Sequence, residues 1–141
     1  MRILVINGPN LNMLGKREPD IYGNETYEDL VNSIDEWGVE NDVRVEVEQS
    51  NHEGDIIDLI QNAPESFDSI LINPGAFTHY SYAILDAMKS VDIPIVEVHI
   101  SNIHGRESFR SHSVTAPAAS GIIAGFGTKG YLIGLNALKS K

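Results

Sequence analysis

The chain has 141 residues, 42% of them apolar and none of them cysteine; that is enough for one domain with a substantial core, and it excludes disulfides, thiolate metal sites and a cysteine nucleophile. Twenty acidic residues against ten basic ones leave a formal charge of −10, a balance that repels phosphate backbones and anionic membranes. An anionic substrate would therefore need local positive charge, from a few arginines or from backbone amides.

The first predicted element is the apolar run Ile3-Leu4-Val5-Ile6, a buried strand. It is too short for a signal peptide or a membrane span, so a soluble, cytoplasmic protein is expected. A long polar loop over residues 7–23 follows, and ordered loops of that length are usually functional. Thr26 with Asp29 resembles a capping box, and Tyr27, Leu30, Val31, Ile34 and Trp37 then form one apolar helical stripe, with Gly38 as a candidate stop. Val43 to Val47 alternates, as a strand nearer an edge would. Ile56, Ile57, Leu59 and Ile60 belong to a second helix, with His52-Glu53 as a candidate cap and Ala63-Pro64 as its close. Ile70-Leu71-Ile72 is a third strand, and Thr78 is a candidate cap for a helix running through Ala83, Leu85 and Met88. Pro94 introduces the strand Ile95-Val96-Glu97-Val98, Ile122-Ile123-Ala124 makes a fifth, and Tyr131, Leu132, Leu135 and Leu138 mark a last helix.

Strands and helices that alternate this way, with continuous apolar strands, predict an α/β fold: a flavodoxin-like, doubly wound, five-stranded parallel sheet in a single domain. Ligands of such sheets bind beyond the carboxyl ends of the strands. Asn10, Arg17 and Tyr22 follow the first strand, Asn73 and His79 the third, and His99, Ser101, Arg106 and Arg110 the fourth. Singly, each has a plain structural reading as a turn residue, a helix start, a half-buried anchor, or a solvated side chain paired with Glu107. Glu97 and His99 are more telling. Two apart on a strand, they leave the same face, so the carboxylate can hold one imidazole nitrogen and leave the other free to move a proton. A glutamate in an apolar strand is costly unless paired.

Other chemistries lack their residues. No two histidines stand four apart, which disfavours zinc, and no P-loop is present. Ser101 has no GxSxG elbow to make it a nucleophile. Residues 7–12 contain no hydroxyl side chain for a flavin phosphate, and Asn7 and Asn73 stand where a response-regulator domain needs acids.

Four blocks, taken together, resemble the type II dehydroquinases along nearly the whole chain. They are Asn7-Gly8-Pro9-Asn10-Leu11-Asn12 with Arg17-Glu18-Pro19 and Tyr22-Gly23; Gln49-Ser50-Asn51-His52-Glu53-Gly54; Asn73-Pro74-Gly75-Ala76-Phe77-Thr78-His79-Tyr80-Ser81; and Glu97-Val98-His99-Ile100-Ser101-Asn102 followed by Arg106-Glu107-Ser108-Phe109-Arg110. The resemblance implies a lyase that converts 3-dehydroquinate to 3-dehydroshikimate through an enolate, without metal or cofactor, in the shikimate pathway. It implies Tyr22 as the base, Arg17 beside it, Asn10 with a bound water at the enolate oxygen, and His99, held by Glu97, as the acid. It further implies Asn73, His79 and Arg110 at the ring hydroxyls and the backbone amides of Ile100 and Ser101 at the carboxylate. A lid over residues 12–23 and assembly into a homododecamer, a tetramer of trimers in which Asp86 reaches a neighbouring site, are implied too. Leu85 precedes Asp86 where many relatives have arginine, and Gly105 stands where alanine is common.

Overall fold

The computed structural model describes residues 1–16 and 18–141; Arg17, expected beside the base, lies outside the described residues. Five strands form one sheet in the order β2-β1-β3-β4-β5, every pair parallel. They are β1 (Arg2–Asn7), β2 (Arg44–Gln49), β3 (Ser69–Asn73), β4 (Ile95–His99) and β5 (Gly121–Ala124). The expected α/β, flavodoxin-like architecture is therefore present. The chain winds outward from β1 to β2, then reverses through β3, β4 and β5, so the switch point lies between β1 and β3. There Asn7 and Asn73 are register partners at the carboxyl ends of their strands.

The apolar strand runs follow from burial on both faces. Ile3, Val5, Leu71, Val96 and Val98 pack with α2 (Tyr27–Asn41) and α5 (Lys129–Lys139). Leu4, Ile6, Ile70, Ile72 and Ile95 pack with residues of α3 (Glu53–Asn62) and α4 (Tyr82–Lys89). Each fully buried aliphatic side chain contributes roughly 1.5–3 kcal/mol. β2, at an edge, alternates between exposed and half-buried residues.

The expected capping box holds: the Asp29 N–H donates to Thr26 Oγ1 (3.1 Å) and the Thr26 N–H to Asp29 Oδ2 (3.0 Å). Three local expectations need correction. Gly38 does not stop its helix, which runs on to Asn41. It is glycine because a Cβ there would meet the Val43 carbonyl at 2.9 Å, where the chain turns back toward β2. Thr78 does not cap α4; Ser81 does, its Oγ accepting from the Ile84 N–H (3.0 Å). His52 occupies the N-cap position of α3 without a side-chain cap bond, and Glu53 instead accepts from the Ser81 hydroxyl (2.6 Å). Among the described residues, no helix is long and apolar enough to cross a membrane.

Candidate active site

The carboxyl ends of β1, β3 and β4 open onto one pocket. Asn10, Tyr22, Asn73, His79, His99, Ile100, Ser101, Arg106 and Arg110 all line it. Of the residues expected in the site, Glu97 lies behind His99, and Asp86 sits exposed on α4, outside this pocket.

Glu97 and His99 behave as their spacing predicts. Both are buried, and His99 Nε2 lies 2.8 Å from Glu97 Oε2. An ionised carboxylate can only accept, so Nε2 carries the proton and Nδ1 is the nitrogen left for chemistry. The carboxylate has further donors. Thr78 Oγ1 reaches Oε2 at 3.0 Å and Ser113 Oγ reaches it at 3.4 Å, while Thr115 donates to Oε1. The three hydroxyls also touch one another, and the Ala116 N–H donates into the group at Ser113 (3.0 Å). Burial pushes the Glu97 carboxyl up. The His99 hydrogen bond and charge outweigh it, with the Thr115 and Thr78 hydroxyls, and hold the group below the ordinary carboxylate value. This cage is why a buried acid stays an anion, and it explains the burial of Thr78.

Tyr22 closes α1 (Pro19–Tyr22), a single turn with proline at its start and Gly23 after it at φ 81°. The phenol oxygen accepts from Arg106 Nη1 at 2.8 Å, and the guanidinium carbon lies 5.2 Å from the centre of the ring. The same Nη1 reaches Ser101 Oγ (3.3 Å), and Nη2 lies 3.8 Å from Glu18. Of the two arginines expected to pair with Glu107, Arg110 does so, its Nε donating to that carboxylate, whereas Arg106 bonds to Tyr22.

The remaining expected groups are held from behind. Asn10 adopts a left-handed conformation (φ 71°), and its N–H donates to Asn51 Oδ1 (3.0 Å). Gln49 Nε2 in turn donates to Asn51 Oδ1 and to the Gly8 carbonyl, both at 3.1 Å. The block of residues 49–54 thus braces the loop after β1. Gly8 must be glycine, since a Cβ would stand 2.6 Å from the Pro74 carbonyl. His79 Nδ1 lies 2.8 Å from the His112 carbonyl, which fixes the proton on Nδ1 and leaves Nε2 as an acceptor. Burial lowers the His79 pKa, the His112 bond opposes this, and the Arg110 charge adds to the lowering. Asn73 Oδ1 accepts from the Gly75 N–H (3.0 Å), and its Nδ2 donates to the Tyr131 hydroxyl (2.9 Å). The His99 and Ile100 carbonyls accept from the Gly125 (3.3 Å) and Gly127 (3.0 Å) N–H groups, anchoring the end of β4.

The pocket therefore combines a phenol beside a guanidinium, a carboxylate-held imidazole, two amides, a second histidine and a second arginine. Such a set can supply a base, an acid and hydrogen-bond donors to one small polar ligand. Known proteins share this arrangement of chain and sequence. The profile of the family described as Dehydroquinase class II matches residues 1–139. The 3-dehydroquinate dehydratase of Thermotoga petrophila is 60% identical over 141 residues, which is 100% of this chain and 96% of that protein. The 3-dehydroquinate dehydratase of Clostridium acetobutylicum is 60% identical over 140 residues, covering 99% of this chain and 97% of that relative. The crystal structure of type II dehydroquinase from Butyrivibrio crossotus superimposes with a TM-score of 0.97 at 58% identity, over 99% of this chain and 97% of that one.

Proposed function

The chain belongs to the class II dehydroquinase family and carries its 3-dehydroquinate dehydratase activity, and from that premise we propose that it removes water from 3-dehydroquinate by a stepwise anti elimination through an enolate. The observation that carries this reading is the pairing of Tyr22 with Arg106 and of His99 with buried Glu97 at one pocket.

Tyr22 takes the proton from the carbon beside the substrate ketone. Arg106, donating at 2.8 Å, compensates negative charge on the phenol oxygen before that transfer. Arg17 has the same role in this reading. The electron pair released moves onto the ketone oxygen, and Asn10 with a bound water steadies the enolate, because charge that develops in the reaction is met by donors already in place. The enolate then re-forms the carbonyl and expels the hydroxyl at the neighbouring ring position. Hydroxide leaves poorly, so His99 gives it a proton from Nδ1 and water departs. Glu97 supplies the counter-charge and fixes the ring. Asn73, His79 and Arg110 bind ring hydroxyls, and the Ile100 and Ser101 amides bind the carboxylate.

Residues 12–23 act as a lid that brings Arg17 and Tyr22 over the substrate and excludes water. The product feeds the shikimate pathway in the cytoplasm. Subunits assemble as trimers within a homododecamer, with Asp86, exposed on α4, reaching a neighbour's site. The test is to mix purified, chelator-treated protein with 3-dehydroquinate and follow ultraviolet absorbance of the new conjugated enone. Absorbance that grows without added metal or cofactor supports the reading; a folded protein that gives none contradicts it.

A further inference from the structure

We propose that Tyr131 is a positioning residue for substrate recognition: its buried hydroxyl fixes which edge of the Asn73 amide faces the pocket. The proposal rests on the reading above that Asn73 binds the substrate.

Tyr131 lies on α5, fully buried, and its ring packs in the core. Its hydroxyl bridges the two asparagines that end β1 and β3. It donates to Asn7 Oδ1 (2.6 Å) and accepts from Asn73 Nδ2 (2.9 Å). Asn73 Oδ1 accepts from the Gly75 N–H (3.0 Å). The direction of the bonds at Asn73 is forced. The Gly75 N–H can only donate, so it demands the carbonyl edge of Asn73. Nδ2 then turns to Tyr131, whose oxygen must accept, and the single phenol proton is left for Asn7. A flipped Asn73 amide would set two donors against each other at Gly75. Burial pushes the Tyr131 phenol up, against the smaller effect of the Asn73 bond, so the group remains the neutral donor the chain requires.

The consequence reaches the pocket. With one Nδ2 hydrogen committed to Tyr131, the other has a fixed direction, and Asn73 lines the pocket. Asn73 therefore offers an N–H, and a substrate hydroxyl there accepts. A phenylalanine would fill the same core volume but leave Nδ2 with an unsatisfied buried hydrogen. The amide then turns to find a partner, and the donor loses its fixed place.

The experiment is steady-state kinetics on 3-dehydroquinate for Tyr131→Phe, Asn73→Ala and the double variant, each with a thermal melt. Leu138→Ala, a buried α5 position outside the hydrogen-bonded chain, reports on stability loss alone. Tyr131→Phe is expected to raise KM about tenfold, a change worth 1.4 kcal/mol, with kcat changed by less than about twofold. Added to Asn73→Ala it should raise KM no further, because its effect passes through Asn73. Leu138→Ala should lower the melting temperature and leave KM alone. Asn7→Ala, which releases the far end of the chain, should raise KM by a smaller factor and gives a second handle if Tyr131→Phe does not fold. A raised KM in Asn73→Ala beside an unchanged KM in Tyr131→Phe, or beside additive effects in the double variant, overturns the role of Tyr131. An unchanged KM in Asn73→Ala overturns the substrate contact itself, and the proposal with it.

Discussion

Arg106, just beyond the end of β4, donates a 2.8 Å hydrogen bond to the hydroxyl of Tyr22, a residue 84 positions earlier in the chain. The bond joins the loop after β1 to the segment after β4, both residues lining the pocket, and it places a permanent cation at the oxygen proposed as the base. Arg106→Gln keeps a donor and removes the charge. The expected result is a fall in kcat of about 100-fold, the scale found when a preorganised charge-stabilising donor is removed. Arg106→Lys should recover only part of it, because a compact ammonium cannot span Tyr22, Ser101 and Glu18 as the planar guanidinium does. Formation of the enone at the normal rate in Arg106→Gln would leave Arg106 as a structural tie.

Tyr22→Phe removes the proposed base, and with it the acceptor of the Arg106 hydrogen bond, while keeping the half-buried ring on its single-turn helix. Turnover is expected to fall by about 10²–10⁴-fold, the range for a lost general base. The melting temperature should stay close to that of the wild type. Binding of the product, followed by calorimetry, should survive. A variant with near-normal kcat would move the base elsewhere.

The hydroxyl cage around Glu97 gives a pH signature. The folded value of this carboxyl is below the ordinary value of 4.5, so its contribution to stability is present above that pH and is lost as the pH falls through the folded value. Thr115→Val removes the donor to Oε1 while keeping the volume. At neutral pH it should destabilise the protein by about 1–3 kcal/mol, the scale of a lost bond to a buried group. The gap to the wild type should narrow only as the pH falls through the folded value of this carboxyl, below 4.5, where the folded protein takes up the proton too. Thr115→Ser should restore most of the loss. Urea titrations at several pH values would check this; a gap that does not change with pH would mean Thr115 acts by packing alone.

Much of the fold could be read from the chain because both faces of the sheet are covered, which leaves uninterrupted apolar runs such as Ile3 to Ile6 and Ile70 to Ile72. Three strands nevertheless run past those runs to Asn7, Gln49 and Asn73, polar residues that resemble loop until their ladder partners are seen. The pairing of Glu97 with His99 followed from strand alternation. The groups that hold the pair did not: Ser113 and Thr115 lie 16 and 18 residues beyond Glu97 and meet it only through the fold. Thr78 looked like a cap because a helix follows it, yet a 3-10 turn intervenes and turns the side chain inward to Glu97. Tyr131 looked like one more residue of an apolar stripe, since nothing local reveals the two amides across the sheet. Arg106 stands in the fourth block of the resemblance, but its partner Tyr22 lies 84 residues earlier and no local pattern joins the two.

The central claim is that proton removal at Tyr22 and loss of the hydroxyl at His99 are separate steps. It is tested most directly by incubating His99→Ala with 3-dehydroquinate in deuterium oxide and following both the enone and the mass of recovered substrate. A stepwise reaction predicts that dehydration slows sharply while recovered 3-dehydroquinate gains deuterium at the carbon beside the ketone, faster than product forms. Dehydration at the wild-type rate, or a stalled variant whose substrate gains no deuterium, would contradict it.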